Sequence, residues 1–275
     1  MENENDVEVK AEPDMTFTKE LRKATKDVHK MSDILVNAKF ALALSNETVW
    51  ADGLLAFYEI YKFFETHLPE TLLPKELYRT AAFEKDLNIF LGSNWQENYE
   101  PRESVKKYLK KLEEVRSKNE LLLFAYAFQM YMALMSGGQL LQKKRMIARK
   151  LWIGKQEEPE DNKAMTFDPE LHEVDLEKRP MPAQVTICPP GCAATFFPDK
   201  ISVLKAKLRT ILNENYGKFD DDMRAAFIEE SRNVFLYNGD VVRSIKGVAK
   251  ANLRALGMVV CFIVGVYLAL KFARR

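Results

Sequence analysis

Apolar residues recur at helical spacing along most of this chain, and no segment alternates apolar and polar over a strand's length. Residues 16–32 carry strong helix formers behind a threonine, which predicts a helix. Residues 50–68 place Tyr58, Tyr61 and Phe64 every third position until Pro69 and Pro74 end the run. Such an aromatic stripe builds either a core or the wall of a planar ligand's site. Two further helices are predicted over 77–90 and 102–116, the second with Lys106, Lys107, Lys110 and Lys111 on a side that reads as a solvated face. Segment 119–135 is apolar nearly all round, but Asn119, Glu120, Gln129 and the Ser136-Gly137-Gly138 that follows mark a helix buried among others rather than a membrane span. A basic helix continues over 142–150, and amphipathic helices are predicted over 201–212 and 223–237, the latter ending at Asn238-Gly239. The soluble part is therefore all-α.

Two interruptions stand out in this pattern. Gly137 and Gly138 sit together inside an apolar helix, where each costs about 1 kcal/mol relative to alanine. Either the backbone kinks there against a ligand that a Cβ would strike, or the glycines form a turn between two helices. The local sequence does not choose between these. Periodicity also vanishes over 156–195, which reads as a long loop rich in Glu, Asp, Asn and Pro, and His172 within it takes no role. At the end of this loop, Cys188-Pro189 resembles short haem-responsive motifs, on very little sequence.

The ends of the chain differ from its middle. Residues 1–15 read as a disordered acidic tail without the apolar core of a signal or transit peptide. Residues 251–275 contain sixteen uncharged, mostly apolar positions, 255–270, between Lys250, Arg254 and Lys271, Arg274, Arg275. As a helix this run is about 24 Å long, slightly short of a bilayer core but extended by the snorkelling of its flanking bases. It reads as a membrane anchor with the helical domain, 16–250, on the cytosolic face. Basic residues at both ends leave the positive-inside rule without a preference.

Composition narrows the chemistry. With 41 basic and 40 acidic residues the 275-residue chain has a net charge of +1, which gives no footing for nucleic acid. Cys188, Cys192 and Cys261 form no disulfide framework, so a reducing compartment fits. No dinucleotide, phosphate-loop or zinc-protease motif is present. What remains is His29. On a helix it shares a face with Arg22, Lys26 and Asp33, so an imidazole stands beside two cations. A lone histidine is more often structural than a ligand.

Leu21-Arg22-Lys23-Ala24-Thr25-Lys26-Asp27-Val28-His29 resembles the proximal-helix motif of haem oxygenases, and Ser136-Gly137-Gly138-Gln139 resembles their distal-helix motif. The resemblance extends from about Phe17 to Val242, and the anchor is similar to that of the eukaryotic membrane-bound members. It implies a single multi-helix domain that sandwiches haem between a proximal helix and a kinked distal helix. His29 becomes the iron ligand, and neutral imidazole leaves a sixth position for dioxygen. Gly137 and Gly138 let the distal helix lie close over the porphyrin. Arg22, Lys26, Lys205 and Arg209 neutralise the propionates, although a register shifted by two residues selects Lys207 instead and puts Ile211 where a base is expected. Phe235 and Asn238 fall at a haem-packing phenylalanine and a nearby asparagine, and Tyr61 at a tyrosine of the distal water network. The implied reaction uses haem as substrate and cofactor: dioxygen activated on the iron oxidises a meso carbon, and two further oxygenations give biliverdin, carbon monoxide and ferrous iron. Electrons come from NADPH through cytochrome P450 reductase, with 143–150 and 106–111 as basic docking surfaces. The resemblance also implies a monomer in the endoplasmic reticulum membrane, with biliverdin reductase downstream and the mitochondrial outer membrane as the alternative site.

One position departs from the family pattern. Two residues before Ser136 the family carries an aspartate that anchors the distal water, and this chain has Leu134, preceded by Ala133 in place of a glycine. Leucine cannot hold water or relay a proton. Slow turnover and mixed biliverdin isomers are expected. The alternatives are a haem-binding or haem-sensing protein without the chemistry, and a membrane-tethered helical adaptor without haem.

Overall fold

The computed structural model describes residues 16–40, 43–153 and 188–273. The acidic tail, His172 and most of the expected loop lie outside the described residues. Ten helices carry the described chain: α1 (Thr16–Ala24), α2 (Lys26–Phe40), α3 (Glu47–His67), α4 (Thr80–Leu91), α5 (Glu103–Lys118), α6 (Glu120–Ala133), α7 (Gln139–Ile153), α8 (Ile201–Tyr216), α9 (Asp221–Ser244) and α10 (Val248–Ala273). Among the described residues there is no strand.

α6 is the centre of the bundle. It packs against α5, α9 and α3, and Leu123, Phe124, Ala125, Tyr126, Ala127 and Tyr131 are wholly buried, as its lack of a polar side requires. A carboxylate inside this packing is neutralised by its neighbours: Glu230 of α9 accepts from Tyr126 Oη at 2.7 Å, Lys111 Nζ at 2.9 Å and Asn233 Nδ2 at 3.1 Å. Burial alone would raise this carboxyl, yet the three donors outweigh it and hold the group below its usual range. Lys111 therefore belongs to the interior rather than to the solvated face expected for 106–111. Of the same run, Lys106 pairs with Glu100 and Glu103, and Lys107 with Asp240, which leaves little free charge there for a docking partner.

The helix expected over 16–32 is two helices. Thr25 marks the junction: it is buried, its amide still donates to Leu21 O at 3.0 Å, and its hydroxyl shares that acceptor at 2.9 Å. Arg232 of α9 spans the junction, donating to Ala24 O and, through both terminal nitrogens, to the two oxygens of Asp27 at 2.7 Å. That fork, above all the hydrogen bond from Arg232, lowers the Asp27 carboxyl to about 2 from an ordinary 3.8. A depressed carboxyl contributes stability that is fully present above the unfolded value and is lost as pH falls through the folded one. The melting-temperature difference between wild type and Arg232→Gln should therefore be constant above about pH 5 and shrink as pH falls through about 2, down to what the Ala24 contact alone contributes.

Two other boundaries differ from expectation for a packing reason. α9 runs through Asn238-Gly239 to Ser244 instead of ending there, because α2 lies against it at the glycine: a Cβ on Gly239 would stand 3.7 Å from Leu35 Cδ2 and 3.2 Å from Arg243 Nη1. The end of the expected loop is part of the core, with Cys192, Ala193, Ala194 and Thr195 buried. Asp86 of α4, itself without exposure, accepts from the Ala193 and Ala194 amides at 2.8 and 2.9 Å.

Among the described residues, two helical stretches are long and apolar enough to cross a membrane, Glu120–Ala148 and Val248–Phe272. The first is 56% buried and contains the core helix α6; the second is 6% buried, with a mean hydropathy of 2.3. The boundary expected near residue 250 falls inside α10, since Val248, Ala251 and Ala255 are packed on the domain.

Candidate functional site

α2 presents His29 half in the open. Its Nδ1 lies 3.0 Å from Asp33 Oδ2 one turn on, and its side chain is 57% exposed. An Nδ1–H donated to this carboxylate leaves Nε2 with its lone pair free, the arrangement that orients an imidazole toward a metal. The edge of the Phe235 ring on α9 steadies the other side, with centroids 5.5 Å apart. One turn beyond Phe235, on the same face, the Oδ1 of Asn238 is buried without a hydrogen-bond partner among the described residues.

The second wall comes from the glycine pair. Leu134–Gly138 forms one π-helical turn between α6 and α7, so the helix neither stops nor turns back; it is bent by one wide turn. The two glycines do different work. A Cβ on Gly138 would meet Leu134 Cδ1 at 3.0 Å and Thr195 Cγ2 at 3.7 Å, whereas a Cβ on Gly137 would meet nothing within 4 Å. Gly137 thus offers bare backbone to open space, and Gly138 lets Leu134 fold back over the helix.

A hydrogen bond joins the two walls. Lys144 Nζ of α7 donates to Asn37 Oδ1 of α2 at 3.0 Å. Asn37 follows His29 by about two turns on the same face, and Lys144 follows Gly137 by about two turns. His29 and Gly137 therefore lie on helix faces that converge at this bond.

Cations flank the α1–α8 junction. Thr18 donates to Asn213 Oδ1 through its hydroxyl at 3.1 Å and its amide at 3.3 Å, and the Phe17 and Tyr216 rings stack at 4.1 Å. Arg22 comes one turn after Thr18, and Arg209 one turn before Asn213. Lys205 and Arg209 project together and are half-buried; burial and then the neighbouring guanidinium lower the Lys205 ammonium. None of Arg22, Lys26, Lys205 and Arg209 has an ion-pair partner among the described residues. Lys207, by contrast, is bound to Glu76 at 2.5 Å, and Ile211 packs on the core.

Sequence reasoning missed the support behind the π-turn. Gln139 Nε2 donates to Thr195 O, and the Thr195 hydroxyl donates to Gln142 Oε1, so the 191–197 segment is clamped to α7. Trp50 Nε1 donates to Gly191 O at 3.2 Å and Arg79 to Phe196 O, tying the same segment to the rest of the domain. The signal was the small and apolar run Ala193-Ala194-Thr195-Phe196-Phe197 at the end of an otherwise polar loop. Tyr61 is not at the converging faces: it is buried, its hydroxyl donates to Met130 O at 3.1 Å, and its ring packs against Tyr131 and Phe83. The Cys188 thiol is pushed up by burial and by the Asp86 carboxylate, the opposite of what a thiolate ligand needs.

The sequence model of the Heme oxygenase family matches residues 15–244. The chain belongs to the haem oxygenase family. Heme oxygenase 1 of Homo sapiens is 33% identical over 136 residues, 45% of this chain and 46% of the relative, and Heme oxygenase 2 of Mus musculus is 41% identical over 78 residues, 28% and 25% of the two chains. The chain thus spans about half the length of the human relative, or less for the mouse one. Among solved structures, heme oxygenase 2 of Chlamydomonas reinhardtii without heme superposes with a TM-score of 0.64 at 22% identity, over 85% of this chain and 98% of that one. Heme oxygenase-2 of Synechocystis in complex with heme and NO gives 0.65 at 22% identity, over 86% and 87%. These likenesses establish the haem oxygenase fold.

Proposed function

We propose that this haem oxygenase family member cleaves haem to biliverdin, carbon monoxide and ferrous iron, with dioxygen and with NADPH electrons delivered by cytochrome P450 reductase. The observation that carries the reading is the pairing of a half-open, carboxylate-oriented His29 with the bare backbone of Gly137 on converging helix faces. A porphyrin bearing two carboxylates fits the residues present: an imidazole nitrogen for iron, a glycine without Cβ above the plane, the cations Lys205, Arg209, Arg22 and Lys26, and an Asn238 Oδ1 that has no partner among the described residues, for water or ligand. The bound iron supplies the oxygen activation. The chain's own work is placement: Asp33 fixes the imidazole, the cations hold the propionate edge, and the π-turn excludes water from one face.

Leu134 limits this work. Its apolar side chain covers Gly138, and at this position it can neither hold water nor pass a proton. We infer slow turnover and mixed biliverdin isomers. α10 supports anchoring in a membrane, and we place the domain on the cytosolic face of the endoplasmic reticulum.

Aerobic turnover of bound haem with NADPH and reductase tests the assignment: loss of the Soret band with appearance of a bilin supports it, and a persistent ferric spectrum returns the protein to haem binding alone. The propionate register has its own measurement. Lys205→Gln with Arg209→Gln should weaken haem binding about tenfold or more, as expected for losing charge-assisted contacts of about 1.5 kcal/mol, whereas Lys207→Gln should leave it unchanged. Equal losses from both would point to the shifted register.

The glycines separate stability from binding. Gly137→Ala should leave the haem-free protein as stable or up to about 1 kcal/mol more stable, because alanine is the better helix former, while weakening haem binding at least about tenfold. Gly138→Ala should destabilise the haem-free protein by about 1 kcal/mol, since its Cβ displaces Leu134. Thermal melts and haem titration of both variants read out the difference.

A further inference from the structure

Only residues 245–247 separate α9 from α10, and each is held. Ile245 is buried and its amide donates to Val242 O at 3.2 Å. The Lys246 amide donates to Asp52 Oδ2 at 2.7 Å, and Asp52 is gripped by both terminal nitrogens of Arg102 at 2.8 and 3.0 Å. Arg102 also donates to Ser244 O at 2.9 Å, closing the joint from the other side. Gly247 takes φ +76°, the left-handed region, and brings the chain round against Val49.

Beyond the joint, the first two turns of α10 are docked. Val248, Ala251 and Ala255 are buried, and Asn252 Nδ2 donates to Lys39 O at the end of α2, at 3.1 Å. Ala255 is also the first residue of the charge-free run 255–270, whose sixteen residues make about 24 Å of helix against a hydrocarbon core of about 30 Å. The run is already short, so no helix is left over to hold the domain away from the bilayer. Lys246, Lys250 and Arg254 are exposed on the linker and α10, and Lys39 and Arg243 stand beside them, Lys39 Nζ donating to Arg243 O at 2.5 Å. The carboxylates in this region are engaged: Asp52 with Arg102, Asp240 with Arg243 and Lys107, while Glu47 has a partner of its own.

On the reading of α10 as a membrane span, we propose that this helix is a rigid mount: it seats the domain on the bilayer in one orientation, with the end of α2 and the collar Lys39, Arg243, Lys246, Lys250 and Arg254 on anionic phospholipid headgroups. His29 precedes Lys39 by ten residues of the same helix, so the site stands no more than about 15 Å from the headgroup layer. A slack tether would set no such distance.

The test uses the full chain in vesicles of phosphatidylcholine, with or without phosphatidylserine, that carry a headgroup nitroxide lipid. A fluorophore is placed on Ala38→Cys, next to Lys39, or on Lys218→Cys at the opposite end of α9, in a Cys188→Ser, Cys261→Ser background that keeps buried Cys192. With the docked anchor, the label at 38 should be quenched several-fold more than that at 218 in both vesicles. Inserting a flexible Gly-Ser segment between Gly247 and Val248 should erase that difference in phosphatidylcholine and restore part of it when phosphatidylserine is present. Quenching at 38 that is weak in the uninserted chain, or indifferent to the insertion, overturns the rigid mount; an inserted chain that ignores phosphatidylserine overturns the collar. Flotation and helical circular dichroism are read alongside. A chain that does not float with vesicles defeats the span itself, a result distinct from either of the others.

Discussion

His29→Ala is expected to lower haem turnover by at least about a hundredfold, the scale on which even supporting contacts around a bound metal act. The loss should arise at the iron and not in the fold, because the side chain is 57% exposed and its strong contacts are Asp33 and the Phe235 edge. The haem-free melting temperature should therefore stay near that of the wild type. Added imidazole should restore a histidine-like Soret band, since a pocket emptied of its ring still has Phe235 on one side. Asp33→Asn makes the finer point: with the orienting carboxylate gone, turnover should fall about tenfold while the Soret position shifts only slightly. A haem spectrum untouched by His29→Ala would move the ligand elsewhere and take the proposed site with it.

Leu134→Asp should act in the other direction. The position lies one turn before Gly138 in the π-turn, and its present side chain lies across that glycine as an apolar cover. A carboxylate there regains a group able to hold water and relay a proton, an effect worth about a hundredfold in rate at the lower end of what positioned acids and bases supply. It should also narrow the product to one biliverdin isomer, because a fixed hydrogen-bond partner selects which meso edge is oxidised. Chromatography of the bilins from both proteins settles it: a single isomer from the wild type sinks the idea that Leu134 relaxes the choice. Some stability should be lost, since Leu134 is packed against the core and a charge replaces it.

The helices could be read from periodicity because a one-dimensional pattern of 3.6 residues needs no partner to be seen. α6 was legible as a buried helix for the same reason, an apolar surface all round interrupted by Gln129. His29 and the glycine pair stood out because both conflict with their surroundings: a titratable ring between cations, and two helix breakers in the best helix of the chain. Residue identity alone also exposed Leu134.

Other features depended on what lay opposite. Gly137 and Gly138 are the same residue in sequence and opposite in role, since one faces open space and the other faces Leu134 and Thr195. The π-turn that accommodates both is the form the kink takes. Lys205 and Lys207 are two lysines two positions apart, and only the fold gives one a Glu76 partner and leaves the other beside Arg209. Gly239 reads as a stop in isolation and is a contact point for α2 in the bundle. The 191–197 clamp depends on Asp86, Trp50, Arg79, Gln139 and Gln142, residues scattered between positions 50 and 142. By itself the sequence determined helix content, the apolar span and which residues could carry chemistry, because those follow from local spacing and side-chain type. Which of these residues meet, which charges are left unpaired and how firmly α10 is joined to the domain were decided by tertiary packing, since neighbours distant in the chain supply the partners.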